Sequence, residues 1–213
     1  MKDSMQAIIY LLAAGGIIFL GNRALAALKK DIPYGARKVA CLGDSITASG
    51  LYGKELAKHL PEGSIVKSFG YEGQGTAYIA NKLDKVIDWN PTDVVILVGV
   101  NDFGKTQDVE IIKSNLSKMY AKVHANGIRV VAVQLTPWCC YANAVSNCTR
   151  KTDTVNEWIA NDSTADSVVS TVTMADNNNC LMTSLNSGDG LHLNSTGQRY
   201  LGLLIADQAF DWR

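Results

Sequence analysis

From Arg37 onward the hydrophobic positions fall into two alternating kinds of segment. Short continuous apolar runs bounded by polar turns read as strands at Val39 to Leu42, Ile65 to Ser68, Val94 to Val98, Val130 to Gln134 and Val168 to Thr173. Between them the apolar residues recur at helical spacing. Ile79, Leu83 and Ile87 stand one helical turn apart, and Val109, Ile112, Leu116, Met119 and Val123 alternate steps of three and four, so each segment carries one apolar stripe. Asn126-Gly127 closes the second stripe, because glycine takes the left-handed capping conformation most cheaply. A last helix is expected from Ser195 or Thr196, either of which can cap it, to about Phe210. Wholly apolar strands alternating with helices build βαβ units. The pattern therefore predicts an α/β fold, a five-stranded parallel sheet covered by helices on both faces.

In such open sheets ligands bind beyond the carboxyl ends of the strands. The loops expected there read "GDSITASG", "FGYEGQGT", "GVNDFG" and "LTPWCCYANAVSNC". They are rich in Gly, Asn, Asp and Ser, residues that supply tight turns and hydrogen-bonding groups rather than packing.

Histidine narrows the search, because the chain has only three. His59 and His124 fall at the ends of expected helices and read as surface residues. His192, in "SGDGLHLNSTG", lies in a glycine-rich turn with Asp189 three residues before it. A neutral imidazole can act as general base near neutral pH, and a carboxylate on its other nitrogen fixes the tautomer. Ser45 stands at the first strand-to-helix junction, where a hydroxyl can project above the sheet beside backbone N–H groups. Two readings of that serine stay open on these residues alone: a nucleophile, or part of a helix cap with Asp44.

Four segments in order, "GDSIT", "GYEGQG", "GVND" and "DGLH", together resemble the SGNH hydrolases, the family of GDSL-type lipases and esterases. The likeness runs from about Val39 to Gln198. It implies a flavodoxin-like three-layer α/β/α domain with Ser45 as nucleophile, His192 as general base and Asp189 as its orienting acid. It also implies an oxyanion hole made by the N–H of Ser45, the N–H of Gly73 and the side-chain amide of Asn101. In the glycine loop the sequence departs from the family pattern, since Phe69-Gly70-Tyr71-Glu72 precedes Gly73, which leaves Gly73 and Gly75 both open as the donor. Asp44 and Asp102 are expected to brace their turns by hydrogen bonds. Tyr71, Phe103, Trp138 and Tyr141 fall in the loops around the site and are candidates to line a substrate pocket. The reaction implied is ester hydrolysis by acyl transfer, with an O-acetylated cell-surface glycan preferred as substrate and an acyl lipid, lysophospholipid or thioester as the alternative. A non-catalytic binding or structural module on the same fold is the reading from another class. No cofactor or metal is called for.

Composition and charge refine the picture in two places. Lys and Arg number 20, as do Asp and Glu, so no basic footprint marks a nucleic-acid binder. Residues 4–22 hold no charge and are mostly Ile, Leu, Ala and Gly, which predicts an apolar helix in a segment 1–30 ahead of a catalytic domain 31–213. That segment fits a signal peptide with a small-x-small site at Ala24-Leu25-Ala26, a membrane anchor, or a helix lying on the domain. The basic residues Arg23, Lys29, Lys30, Arg37 and Lys38 follow it, which by the positive-inside rule would place the body in the cytoplasm. Cysteine points the opposite way. Cys139, Cys140 and Cys148 cluster with Cys180 downstream, compatible with disulfides, a Cys140–Cys148 pair and an oxidising compartment, whereas Cys41 reads as a buried thiol. A secreted or membrane-anchored, extracytoplasmic protein is the favoured expectation.

Overall fold

A computed structural model describes residues 35–104, 108–138 and 148–210. The N-terminal apolar segment, Tyr141 and Cys140, the expected partner of Cys148, lie outside those residues. Five strands form one sheet: β1 (Lys38–Gly43), β2 (Ile65–Gly70), β3 (Asp93–Leu97), β4 (Arg129–Val133) and β5 (Ser167–Val169), in the order β2-β1-β3-β4-β5 with every pair parallel. Helices α1 (Ser45–Ala48) and α2 (Leu51–Ala57) connect β1 to β2, and α3 (Thr76–Ala80) and α4 (Leu83–Ile87) connect β2 to β3. Helix α5 (Val109–Ala125) leads to β4, α6 (Cys148–Asn161) to β5, and α7 (Ser195–Ala209) follows the sheet. The predicted three-layer fold is what forms.

Burial explains the architecture. Val39 to Leu42, Val94 to Leu97 and Val130 to Val133 are at most 2% exposed, as strands covered on both faces require. Helices α2 and α7 pack on each other, while α5 packs on α3 and α6, so the right-handed crossovers put the two groups on opposite faces. Helix α7 buries Gln198, Leu201, Gly202, Ile205, Ala206 and Ala209, a stripe at steps of three and four.

Several expectations need adjustment. The stripe Ile79-Leu83-Ile87 is two short helices, because the chain turns at Asn81-Lys82 through i+3 bonds from Asn81 N to Tyr78 O and Lys82 N to Ile79 O. That turn moves Val86 rather than Ile87 into the core beside Leu83. Strand β5 stops at Val169: the Ser170 N–H donates to Gln208 Oε1, and residues Val172–Met174 form a 3-10 turn that buries Met174. Helix α7 is capped by Asn194, whose Oδ1 accepts from Gly197 N at 2.9 Å, and not by Ser195 or Thr196. Helix α6 has no counterpart in the hydrophobic pattern. Among the described residues its fully buried apolar side chains are Val155 and Ile159, with Trp158 partly buried against the core, too few to stand out as a period.

Candidate active site

The sheet order reverses direction between β1 and β3, and the loops leaving those two strands bound the crevice where such folds bind ligands. The first of these loops carries Ser45, and Gly43 ends β1 immediately before it. A Cβ at Gly43 would overlap the Leu97 carbonyl of β3 and the Thr47 side chain of α1, so only glycine permits this approach. Asp44 then caps α1, its Oδ1 accepting from Ile46 N at 3.0 Å. The bracing role expected of Asp44 is present, and it frees Ser45 to point elsewhere.

Ser45 points at His192. Its Oγ lies 2.9 Å from His192 Nε2, and His192 Nδ1 lies 2.5 Å from Asp189 Oδ2. With the Nδ1 proton donated to the carboxylate, Nε2 is left as the acceptor of the serine O–H. The turn that carries the pair is built by Asp189 itself, whose Oδ1 accepts from Leu191 N at 2.9 Å and His192 N at 2.8 Å. Burial pushes the Asp189 carboxyl up, but these bonds from the His192 ring and the two N–H groups outweigh it and hold it at about 2. It is therefore an anion at any ordinary pH. The side chains of His192 and Asp189 are 42% and 37% exposed, so the line opens to solvent. The arrangement can take a proton from the Ser45 hydroxyl and hold the resulting imidazolium beside a carboxylate.

The second wall comes from the loop after β3. A 3-10 turn at Val100–Asp102 presents Asn101, whose Nδ2 donates to Gln74 O of the glycine loop at 3.2 Å. An amide nitrogen carries two hydrogens, so one stays available to a ligand. Asp102 faces inward and accepts from Thr76 N and Thr76 Oγ1, both at 2.8 Å, while Asn115 Nδ2 donates to Thr76 Oγ1 at 2.9 Å. The "ND" turn thus grips the glycine loop twice. Gly75 lies against that grip, since a Cβ there would sit 2.8 Å from both Asp102 carboxylate oxygens. Gly73 has φ of +66° and nothing within 4 Å of its missing side chain, so of the two glycines it is the one that borders open space. Glu72 is exposed beside it.

The structure brings Ser45, His192 and Asp189 into hydrogen-bonded line and fastens Asn101 to the loop that holds Gly73. It does not present the three expected aromatics alike. Tyr71 follows β2, its N–H donating to Gly43 O at 2.9 Å, and it meets Tyr78 edge-on at 5.8 Å between ring centroids. Phe103 and Trp138 are corrections: they are 0% and 4% exposed and stacked on each other at 6.3 Å, and the indole N–H is taken by Thr152 Oγ1. Their rings fill the core under the loops and are not offered to a ligand. His59 contacts Glu55 beyond the end of α2, and His124 pairs with Asp166 at 2.7 Å, so neither joins the site. Thr76, Asn115 and Gln198 escape sequence reasoning, and no motif marks them. Among the described residues no group of acidic, histidine or cysteine side chains could hold a metal ion, and no helix is long and apolar enough to cross a membrane. Cys180 is disulfide-bonded and Cys41 is a buried free thiol.

A sheet in this order, with such a line of side chains on its carboxyl edge, places the chain among the three-layer α/β hydrolases. It belongs to the GDSL-like lipase/acylhydrolase family, whose model matches residues 41–200, a span that includes Ser45, Gly73, Asn101, Asp189 and His192. By family the protein is an ester hydrolase. Among solved structures it is similar to a GDSL-like lipase from Bacteroides thetaiotaomicron, at 20% identity and a TM-score of 0.63 over 89% of this chain and 96% of that one. It is also similar to an acetyl xylan esterase, at 21% identity and 0.64 over 79% and 97%. A psychrotrophic esterase from Pseudoalteromonas sp., solved inhibited by monoethylphosphonate, resembles it at 18% identity and 0.63 over 82% and 97%. These likenesses establish the fold. No curated protein matches the chain.

Proposed function

We propose that the protein is a serine esterase that cleaves a carboxylic ester through an acyl-enzyme on Ser45, and that its preferred substrate is an O-acetylated cell-surface glycan. The observation that carries the reading is the continuous line from Ser45 Oγ through His192 to Asp189. Ser45 Oγ attacks the ester carbonyl as its proton passes to His192 Nε2, and Asp189 steadies the imidazolium. The carbonyl oxygen, now an oxyanion, is received by the Ser45 N–H, the Gly73 N–H and the second hydrogen of Asn101 Nδ2. His192 then returns the proton to the departing alcohol, and a water deprotonated by the same nitrogen releases the acid.

Three things support the glycan and its location. An acetyl xylan esterase is among the structures with this fold. Tyr71 and Tyr78 form an aromatic pair, with Tyr71 tied to the end of the strand that leads to Ser45. The uncharged residues 4–22 and a disulfide at Cys180 favour a secreted or membrane-anchored protein in an oxidising compartment. The test is an acyl-length series from acetyl to palmitoyl esters, run on the full chain and on Ser45→Ala. Preference for acetyl with loss of activity in Ser45→Ala is the expected result. Preference for long chains moves the substrate to acyl lipids, and undiminished turnover by Ser45→Ala, or a phosphonate that does not label Ser45, refutes the mechanism.

A further inference from the structure

The Ser45 and His192 halves of the site are 147 residues apart in sequence and sit on different elements, yet their side chains meet at 2.9 Å. Something must hold the two elements at a fixed spacing. Gln198, 2% exposed, lies in the first turn of α7, the helix that begins just after His192. Its Nε2 donates to Ile46 O at 3.0 Å, and its Oε1 accepts from Tyr52 N at 3.2 Å.

Those two partners are significant for what they are. Ile46 follows Ser45 in α1, a single turn that ends where the chain bends at Ser49 and Gly50; its carbonyl accepts from the Ser49 hydroxyl at 3.1 Å, and its second lone pair is the one Gln198 takes. Tyr52 N is a first-turn amide of α2, and Gly50, which precedes that helix, offers no side-chain cap. Helix ends leave such groups unpaired unless something outside the helix satisfies them. One buried amide therefore serves the end of one helix and the start of the next, and both bonds reach across to α7.

Gln198 is in turn fixed to the His192 loop. Its own N–H donates to Asn194 O at 2.9 Å, and Asn194 Nδ2 donates to Ser184 O and Asn186 O, both at 3.0 Å. The same stretch is closed by Ser187 N donating to His192 O at 2.8 Å. One turn further along α7, Gly202 brings the helices so close that a Cβ would stand 2.6 Å from Tyr52 O. Backbone contact at Gly202 sets the separation of α7 and α2, and the amide of Gln198 sets their register.

We infer that Gln198 is a positioning residue for the reaction: by tying the Ile46 carbonyl to the helix that follows His192, it fixes the distance between the Ser45 hydroxyl and the imidazole. The inference rests on the esterase reading above. A buried glutamine that only stabilised the fold would lower the melting temperature without touching the chemistry, whereas a positioning residue changes the rate of attack with substrate affinity unchanged. A misplacement of about 1 Å is enough to cost on the order of a hundredfold.

The experiment compares Gln198→Met, which removes both bonds, and Gln198→Glu, which keeps the acceptor for Tyr52 N but cannot donate to Ile46 O once ionised. A destabilised control, Ile205→Val, alters the core-facing side of the same helix away from both partners. Each full-length protein is assayed for kcat and KM on a chromogenic acetyl ester, for the rate of Ser45 labelling by a phosphonate, and for melting temperature. The expected result is a kcat and a labelling rate lower by roughly tenfold to a hundredfold in Gln198→Met, and in Gln198→Glu at a pH that ionises its carboxyl, with KM within about twofold. For Gln198→Glu the loss should ease at acid pH as its carboxyl regains a proton to donate, a recovery that Ile205→Val does not show. Unchanged kcat and labelling in a folded Gln198→Met, or in Gln198→Glu at a pH that ionises its carboxyl, overturn the inference, as does a loss no larger than that of an equally destabilised Ile205→Val. A parent enzyme that neither turns over nor labels removes the esterase reading and this inference with it, whereas an active parent with active Gln198 variants removes this inference alone.

Discussion

Replacing Asp44 by asparagine should make the protein more stable relative to the parent as pH rises. Asp44 is 1% exposed, and burial pushes its carboxyl up from an ordinary 3.8 to about 6. The bond from Ile46 N and the nearby His192 pull it back only in part, and Asp102 adds to the rise. A folded-state value above the unfolded one means that the folded protein binds the extra proton between those two values. Stability from this group is thus fully present below about pH 4, declines through the interval, and above about pH 6 the whole penalty of burying the anion applies. Two units correspond to about 3 kcal/mol. The Asp44→Asn side chain keeps the acceptor for Ile46 N and titrates nowhere. Any constant effect of exchanging an oxygen for an NH2 group cancels when the difference between variant and parent is compared across pH. Urea unfolding at about pH 4 and about pH 7 should show that difference growing by roughly 3 kcal/mol in favour of Asp44→Asn. A difference that stays flat, or shrinks, would refute the claim that the capping aspartate is held against its own ionisation.

Three further outcomes follow from the same geometry. Asn101→Ala removes the proposed oxyanion donor and should lower kcat on an acetyl ester by about a hundredfold to a thousandfold, so an unchanged kcat would exclude the amide from the oxyanion hole. Gly75→Ala forces a methyl group to within 2.8 Å of the Asp102 carboxylate, which Thr76 holds in place, and should cost about 1 to 3 kcal/mol in urea unfolding, whereas a neutral result would show that the grip yields. Phe103→Leu should cost about 1 kcal/mol of stability and leave KM for a small acetyl ester unchanged, and a selective rise in KM would return the ring to the substrate pocket.

How much of this fold the sequence reveals depends on how far each element relies on its own residues. Strands β1, β3 and β4 are apolar after their charged first residues because both faces are covered, and helix α5 repeats its stripe over 17 residues, so local pattern is enough. Helix α6 has Thr152 buried beside Val155 and Ile159 among polar neighbours, and its helicity comes from the packing partner it meets. The break between α3 and α4 is equally invisible, because Ile79 and Leu83 fit an unbroken helix and only the turn at Asn81-Lys82 decides which later residue faces inward.

The site divides along the same line. Ser45, Asn101, Asp189 and His192 can be read from three short motifs because the proposed chemistry calls for those side chains in loops, whatever packs behind them. Phe103 and Trp138 are misread for the converse reason. An aromatic residue in a loop near the site can face the ligand or the core, and the choice is made by Thr152, which takes the indole N–H from α6, an element the pattern does not show. Gln198 and Asn115 look like polar residues on amphipathic helices until their partners arrive: Ile46 and Tyr52 from 152 and 146 positions away for Gln198, and Thr76 from 39 positions away for Asn115. A motif records the atoms that react. What holds them within reach of one another is written in pairs of residues that have no sequence relation, so the supports of a catalytic line become legible only when the chain has folded around it.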